Sequence, residues 1–530
     1  MYSKYDVIVI GSGHNGLVCG AYLAKAGLKT LVLERRNIIG GAAVTEEFSP
    51  GFRGSRFSYL MSLLHPRVMR DLELKSFGLE VLPANDLFCP LGGDAYIVYS
   101  DDTRKTQAEF GRFCAHDAQI YPEFARQLEQ SAALVRQLLF ETPVDPVKRS
   151  WKSFKQTAAL LWRHRTIGDR AYRLVDLLTQ SAYDYLSVWF QNDIIKSVLA
   201  YYASIGTFAG PKSPGTAYVI MHHLMGEHQG AGGWGFIRGG MGAITASIAR
   251  SGERFGMQVL MDAPVAEVLV TGGRASGVRT VDGREFHAKV VASNANAKTL
   301  FRRLLAPAHL PPELLQEIDS FRTFSTAFKM NIAAHEPPRY RAFDPVRTGF
   351  GYPTYVHIAP GIDYLERAYD DAKYGWYSAR PFLTPVVPTI VDDSLAPAGK
   401  HVINIFGGHA PYELKSGASW ADEKRNLTKA ALDVLDEMAP GFSSRIIDME
   451  TLVATDLEAI VGLPQGHIFH GELTADQLFW QRPAPHWADY RTPVTGLYQC
   501  GSSTHPGGGV SGIPGHNAAR EILKDWKRLK

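Results

Sequence analysis

Apolar and polar positions fall into blocks along this 530-residue chain, and the first block is the most regular. Asp6-Val7-Ile8-Val9-Ile10 is a short apolar run of the kind a strand buried on both faces requires. Gly11-Ser12-Gly13-His14-Asn15-Gly16 interrupts it, and Leu17 to Ala26 then follows a helical spacing. A second apolar run, Thr30-Leu31-Val32-Leu33, closes on Glu34. Strand, glycine turn, helix, strand, acid is the order of a dinucleotide site. Gly11 permits the tight turn, Gly13 lets backbone approach a pyrophosphate, and Gly16 lets helix pack on strand. The helix start offers free N–H groups and the positive dipole end to phosphates. Glu34 lies eighteen residues after Gly16, placed to accept from ribose hydroxyls. Its charge would repel a 2′-phosphate, which argues against NADP.

Two further stretches carry the same alternation. Gly239-Gly240-Met241-Gly242 precedes a helical pattern over Ala243 to Arg250. Strands are predicted at Gln258 to Leu260, Ala263 to Val270, Ala275 to Thr280 and Lys289 to Asn294, with Asp282-Gly283 as a hairpin turn. Gly496 to Gly501 reads as a strand, and a last helix is predicted over Ile513 to Leu529. Residues 1–85, 235–325 and 488–530 are therefore assigned to one discontinuous nucleotide-binding domain. Residues 86–234, rich in aromatics and helix formers, and 326–487, with strand runs and Pro-rich loops, form an interleaved α+β substrate domain. The fold class is α/β, of Rossmann type.

A bare GxGxxG is a weak signal. Gly230 to Gly235 and Gly507 to Gly512 also fit it. The former follows polar residues, so it reads as a flexible loop.

Composition is that of an ordinary globular protein, with 21% charged residues and a net charge of +3, which gives no general preference for nucleic acid. The cysteines, Cys19, Cys89, Cys114 and Cys500, form no CxxC pair, so neither a dithiol redox centre nor a thiolate zinc site is expected. No leader-like segment and no apolar run of spanning length is visible, and a cytoplasmic location is expected, with or without membrane association. Residues 145–175 are strongly basic, with Lys148, Arg149, Lys152, Lys155, Arg163, Arg165, Arg170 and Arg173 against Asp145 and Asp169. Trp151, Phe154 and Trp162 are interleaved. This is either an anionic-membrane contact or a solvated face. His222, His223 and His228 precede a glycine-rich loop and read as a pocket wall or lid, with no metal expected. The aromatic run Tyr183 to Phe208 is either tunnel lining or helical core.

Gly501-Ser502-Ser503-Thr504-His505-Pro506-Gly507-Gly508-Gly509-Val510-Ser511-Gly512 resembles the flavin-closing motif of carotenoid (phytoene) desaturases. With Gly11–Gly16, Glu34-Arg35 and Gly40-Gly41, it resembles the FAD-dependent phytoene desaturase and amine oxidase superfamily. Gly466-His467-Ile468-Phe469-His470-Gly471-Glu472-Leu473 and neighbouring residues are similar to the branch named after pyridine nucleotide-disulfide oxidoreductase domain-containing protein 2. The resemblance implies FAD held by Gly11, Ser12, Gly13, Asn15, Gly16, Glu34, Arg35, Gly40, Gly41, Ala42, Val265, Asn294, Gly501, Ser511, Gly512 and Ile513. Ala42 replaces the family's usual arginine. Ser511, Gly512 and Ile513 would offer N–H groups to the reduced flavin. His505 is either a substrate-positioning or proton-carrying group or a loop histidine bonded to backbone; no other catalytic residue is implied.

The expected activity is FAD-dependent hydride transfer at a C–H or C=C bond of an apolar, isoprenoid-like substrate, in desaturase, saturase or isomerase direction. An amine oxidase-type enzyme and a flavoprotein with a regulatory or interaction role are the alternatives. Substrate, electron acceptor and oligomeric state stay open.

Overall fold

The computed structural model describes residues 4–148, 151–163, 165, 168–226 and 234–529. The Gly230–Gly233 loop, His228 and Arg149 lie outside the described residues.

The first apolar run forms β1 (Lys4–Ile10), the helical pattern forms α1 (His14–Lys25), and the second run forms β2 (Thr30–Leu33). They nucleate a seven-stranded sheet. The strand Gln258–Leu260 lies beside β2, β2 beside β1, and β1 beside Glu285–Ser293, all parallel. Glu285–Ser293 then divides its edge. Its first half pairs antiparallel with Arg274–Thr280, which pairs with Val265–Thr271, and its last residues pair parallel with Leu497–Gln499. Strand edges differ from the sequence expectation by a few residues, which is where hydrogen-bond ladders fray.

Register fixes what lies at the end of the parallel strands. Ile10 stands beside both Leu33 and Ser293, and Ser293 beside Gln499. The residues that follow, Gly11, Glu34, Asn294 and the segment entering Gly501, therefore gather along one edge. In open α/β sheets that edge is where ligands bind. The final helix Ile513–Leu529 and the helix Gly242–Arg254 pack on α1. The approach is close: a Cβ at Gly515 would sit 2.1 Å from the Asn15 carbonyl oxygen.

A second, antiparallel sheet has the order Phe382–Val386, His401–Gly408, Ala327–Ala334, Ile446–Leu452. Its side chains alternate as strand geometry requires. Phe328, Met330 and Ile332 pack toward the helix Trp420–Met438, while Lys329 and Asn331 point to the other face. Strands from 87–99 join this block through Phe88, whose N–H donates to the Tyr355 carbonyl at 3.0 Å. Helices Ala115–Leu139, Asp193–Ala200 and Thr216–His223 form a third, aromatic layer around Tyr121, Phe124, Phe190, Tyr201 and Tyr202. The run Tyr183 to Phe208 is thus mainly helical core, with Ile205 reaching the wall of an apolar cavity. Among the described residues, no helix is long and apolar enough to cross a membrane.

Candidate functional site

The crevice at the strand ends opens into a cavity of about 1120 Å³. Gly11, Gly13, Glu34, Arg35, Gly41, Ala42, Val265 and Asn294 line it, so eight of the residues expected to hold the cofactor converge there. The glycines are required sterically. Gly11 has φ +91°, and a Cβ on Gly16 would lie 2.1 Å from the Gly11 carbonyl oxygen. A Cβ on Gly13 would meet Asn294 Nδ2 at 2.7 Å. Gly13 also caps α1, so the helix N-terminus faces the crevice.

Glu34 is buried and held from two sides. One oxygen accepts from the Ser12 N–H at 2.9 Å and the Ser12 hydroxyl at 2.7 Å; the other accepts from the Arg36 N–H at 3.0 Å. The second oxygen keeps a free lone pair toward the cavity, which suits a ribose hydroxyl. Ser12 therefore acts through Glu34 and is not itself on the wall. Gly40 donates its N–H to the Ser12 carbonyl at 3.1 Å, placing Gly41 over Gly13. Arg35 turns its guanidinium to the Ile460 carbonyl at 2.5 Å. Asn15 donates to Ser502 Oγ at 2.9 Å, while its buried Oδ1 has no partner among the described residues.

A second cavity of about 1140 Å³ adjoins the first, and His14, Ala42, Leu463, His470 and Ser502 form walls of both. Its lining is largely apolar: Phe57, Tyr59, Leu60, Leu63, Ile205, Trp234, Phe406, Ile468 and Phe469. Tyr59 and Phe406 stand nearly parallel with ring centres 6.2 Å apart. His223 stacks on Trp234, its Nδ1 bonded to the Val219 carbonyl, and joins the wall as a pocket residue. No acidic side chain lines this cavity among the described residues.

One lysine does. Lys329 is 5% exposed, and its Nζ donates to Asn331 Oδ1 at 2.7 Å and lies 5.1 Å from the Tyr59 ring centre. Burial pulls its pKa down to about 7, with the Glu450 carboxylate acting the other way. His14 and His470 are held down by burial to about 4 and about 3, so both are neutral at pH 7. His14 Nε2 lies 3.1 Å from the Gly509 carbonyl oxygen. These residues were not anticipated. The signal for Lys329 was a lysine inside a largely apolar strand, Ala-Phe-Lys-Met-Asn-Ile.

The flavin-closing segment is only partly on the walls. Gly509, Val510 and Ser502 line the apolar cavity. Gly501 packs on Asn294, where a Cβ would fall 2.6 Å from its carbonyl oxygen. Ser511 and Ile513 line a separate small cavity; the Ser511 N–H is committed to the Gly509 carbonyl and the Ile513 N–H to Ser511 Oγ. Gly512, at φ +75°, packs on Val18 and Val68. The expectation that these three aim N–H groups at the flavin is thus corrected for Ser511 and Ile513, whose donors are already used. His505 is on neither large cavity. Its Nε2 bonds the Leu138 carbonyl at 3.0 Å and burial lowers its pKa to about 4, so it is the loop histidine bonded to backbone and not a substrate-side group.

Arg482 was also not anticipated. It is fully buried, and its guanidinium donates to the carbonyls of Phe469 (2.7 Å), Glu472 (2.9 Å) and Ser502 (3.0 Å). It ties together two stretches that supply walls to both cavities.

The family model for flavin-containing amine oxidoreductases matches residues 16–523. The chain is 37% identical over 549 residues to pyridine nucleotide-disulfide oxidoreductase domain-containing protein 2 of Rattus norvegicus, covering 99% of this chain and 94% of the relative. It is 24% identical to the lycopene-forming phytoene desaturase of Pseudescherichia vulneris, covering 96% of each. The crystal structure of an oxidoreductase from Methanosarcina mazei superposes with a TM-score of 0.60 at 17% identity, over 98% of this chain and all of that one; this likeness concerns the fold.

Proposed function

The chain belongs to the flavin-containing amine oxidoreductase family and takes FAD, and on that premise we propose that it moves a hydride between an apolar, isoprenoid-like carbon substrate and the flavin. One observation carries this reading: an apolar cavity shares a wall with the dinucleotide crevice, through His14, Ala42, Leu463, His470 and Ser502. Gly11, Gly13, Gly41, Asn294 and Glu34 would hold the cofactor, and the residues fit it. The glycine cradle leaves no room for side chains, and the Glu34 oxygen has a lone pair left. Bound FAD supplies hydride acceptance and donation.

The chain's own residues do the rest. Phe57, Leu60, Leu63 and Phe469 exclude water and bind an apolar body. Lys329, with its charged and neutral forms both populated at pH 7, can take or give the proton that accompanies hydride movement. The cavity's chemistry weighs against an amine substrate. A substrate ammonium would find a lysine there and no carboxylate among the described residues. Phytoene, named for one relative, is an apolar isoprenoid, in keeping with this reading. The parallel pair Tyr59 and Phe406 is the feature that favours an amine, so both substrate classes enter the test.

The test is anaerobic mixing of the FAD-loaded protein with an acyclic isoprenoid, with a monoamine, or with NADH, following flavin absorbance. Bleaching by the isoprenoid supports desaturation. Bleaching by the amine alone overturns the apolar reading. Fast, saturable reduction by NADH replaces desaturation with a saturase-like reductase.

A further inference from the structure

The helix Trp151–Arg163 presents its apolar stripe outward. Trp151, Phe154, Ala158 and Trp162 recur at helical spacing on one face. Trp151 and Trp162 are each 70% exposed and Phe154 63%. The opposite face carries Ser153, buried, and Thr157 and Leu160, half-buried. A globular helix normally turns its large rings in, so this one is inverted. The next helix along the chain, Arg170–Thr179, also carries exposed rings and branches, Tyr172 and Val175, while its Leu177 is buried. Trp480, also exposed, shares with Lys148 and Ser153 the wall of a cavity on the inner side of this helix.

The rings do not stand alone. Trp151 and Phe154 stack at 5.5 Å, Lys155 Nζ lies 5.4 Å from the Trp151 ring, and Arg165 lies 4.4 Å from that of Trp162. Residues 145–175 carry eight Lys or Arg against two Asp.

We propose that this face, the outward stripe of Trp151–Arg163, seats the protein on an anionic lipid surface. Aromatic rings prefer the headgroup level of a bilayer, with an apolar body on one side and water on the other. Lysine and arginine beside them meet lipid phosphates, and their alkyl stems lie along the apolar zone. This combination defines an interfacial helix that lies in the surface and does not cross it. A second copy of the chain is a poorer occupant. Protein interface cores are depleted in lysine, and a self-complementary contact would set this basic surface against itself.

The experiment is sedimentation of the full-length, FAD-loaded protein with two vesicle preparations, phosphatidylcholine alone and an equal mixture of phosphatidylcholine and phosphatidylglycerol. The protein should pellet with the mixed vesicles, stay in the supernatant with the neutral ones, and be released by 1 M salt, where the screening length is about 3 Å. Each basic side chain near the surface is worth about a fivefold partition, so Lys148→Gln with Lys155→Gln should weaken binding on the order of 25-fold. Trp151→Ser, Phe154→Ser and Trp162→Ser together should abolish it. All these positions lie off the crevice, so retained FAD reports that the variants fold. If the triple variant loses FAD, quenching of the unaltered protein's tryptophan fluorescence by brominated phosphatidylglycerol decides instead, and no quenching overturns the proposal. Equal recovery in the supernatant with both vesicles, or salt-insensitive binding to both, overturns it too. Concentration-dependent self-association that the triple variant removes, without vesicle binding, would assign the face to a second copy and also overturn it.

Discussion

Glu34 and Lys329 show how differently single residues carry a site. Glu34 is set by local order: it directly follows β2, and the Ser12 and Arg36 backbone N–H groups and the Ser12 hydroxyl hold it. Charge-assisted hydrogen bonds are worth about 1.5–3 kcal/mol each, so Glu34→Ala should weaken FAD binding about ten- to a hundredfold. Gly13→Val should do more harm, since its side chain would enter space already occupied by Asn294. Titrating both apoproteins with FAD checks this, and unchanged affinity in both would place the cofactor elsewhere. Lys329 is set by burial. Its folded pKa near 7 lies below the ordinary lysine value, so its neutral form gains population as pH rises through 7. If it accepts the substrate proton, flavin reduction by substrate should rise through about pH 7 to a plateau. Lys329→Met should lower the rate and flatten that limb while FAD affinity stays. A rising limb that survives the substitution would take Lys329 out of the proton path.

At the scale of elements, the site depends on loops tied down at a distance. Gly508 and Gly509 are needed for different reasons: an added Cβ at 508 would lie 2.3 Å from Phe469 Cα, and Gly509, beside Leu63, has φ +100°. Both neighbours are cavity walls, so the loop's glycines shape the substrate chamber as much as the cofactor crevice. Arg482 is the second tie. Removing its guanidinium leaves several buried carbonyls without donors, each a loss of about 1–3 kcal/mol. Arg482→Met should therefore destabilise by several kcal/mol and weaken FAD binding, because Ser502 and the stretch Phe469–Glu472 that carries His470 lose their common anchor. Thermal melting with and without FAD measures both effects, and Arg482→Lys should recover only part, having a compact ammonium in place of a planar fork. A melting temperature within a degree or two of the unaltered protein's would refute the anchoring role. The periodicity foretold most of these elements, including the last helix, Ile513–Leu529. It did not foretell what the loops between them touch.

Across the whole molecule, burial has neutralised a set of histidines. His14, His223 and His505 are lowered to about 4, and His357, His409 and His470 to about 3, in each case by desolvation. In the unfolded chain they would take up protons near pH 6.5. Below that pH the unfolded state binds more protons, so stability is full above about 6.5 and falls as pH drops from there toward 4. Each such histidine contributes up to about 1.4 kcal/mol per pH unit in that window. Urea midpoints of the FAD-loaded protein should fall steadily from pH 7 to pH 5; a flat profile would mean that these rings protonate in place. The same burial explains what the sequence alone could determine. Gly11, Gly13, Gly16 and Glu34 answer to backbone conformation and spacing within thirty residues, so their pattern states the nucleotide crevice and, with the parallel strands, the α/β fold. Tertiary structure decided the rest. Tyr59, Lys329, Phe406 and His470 come from distant segments and become one chamber only when two sheets meet, and His505 turned out to face Leu138. Desolvation and contact between remote residues belong to the packed molecule, and no local pattern encodes them.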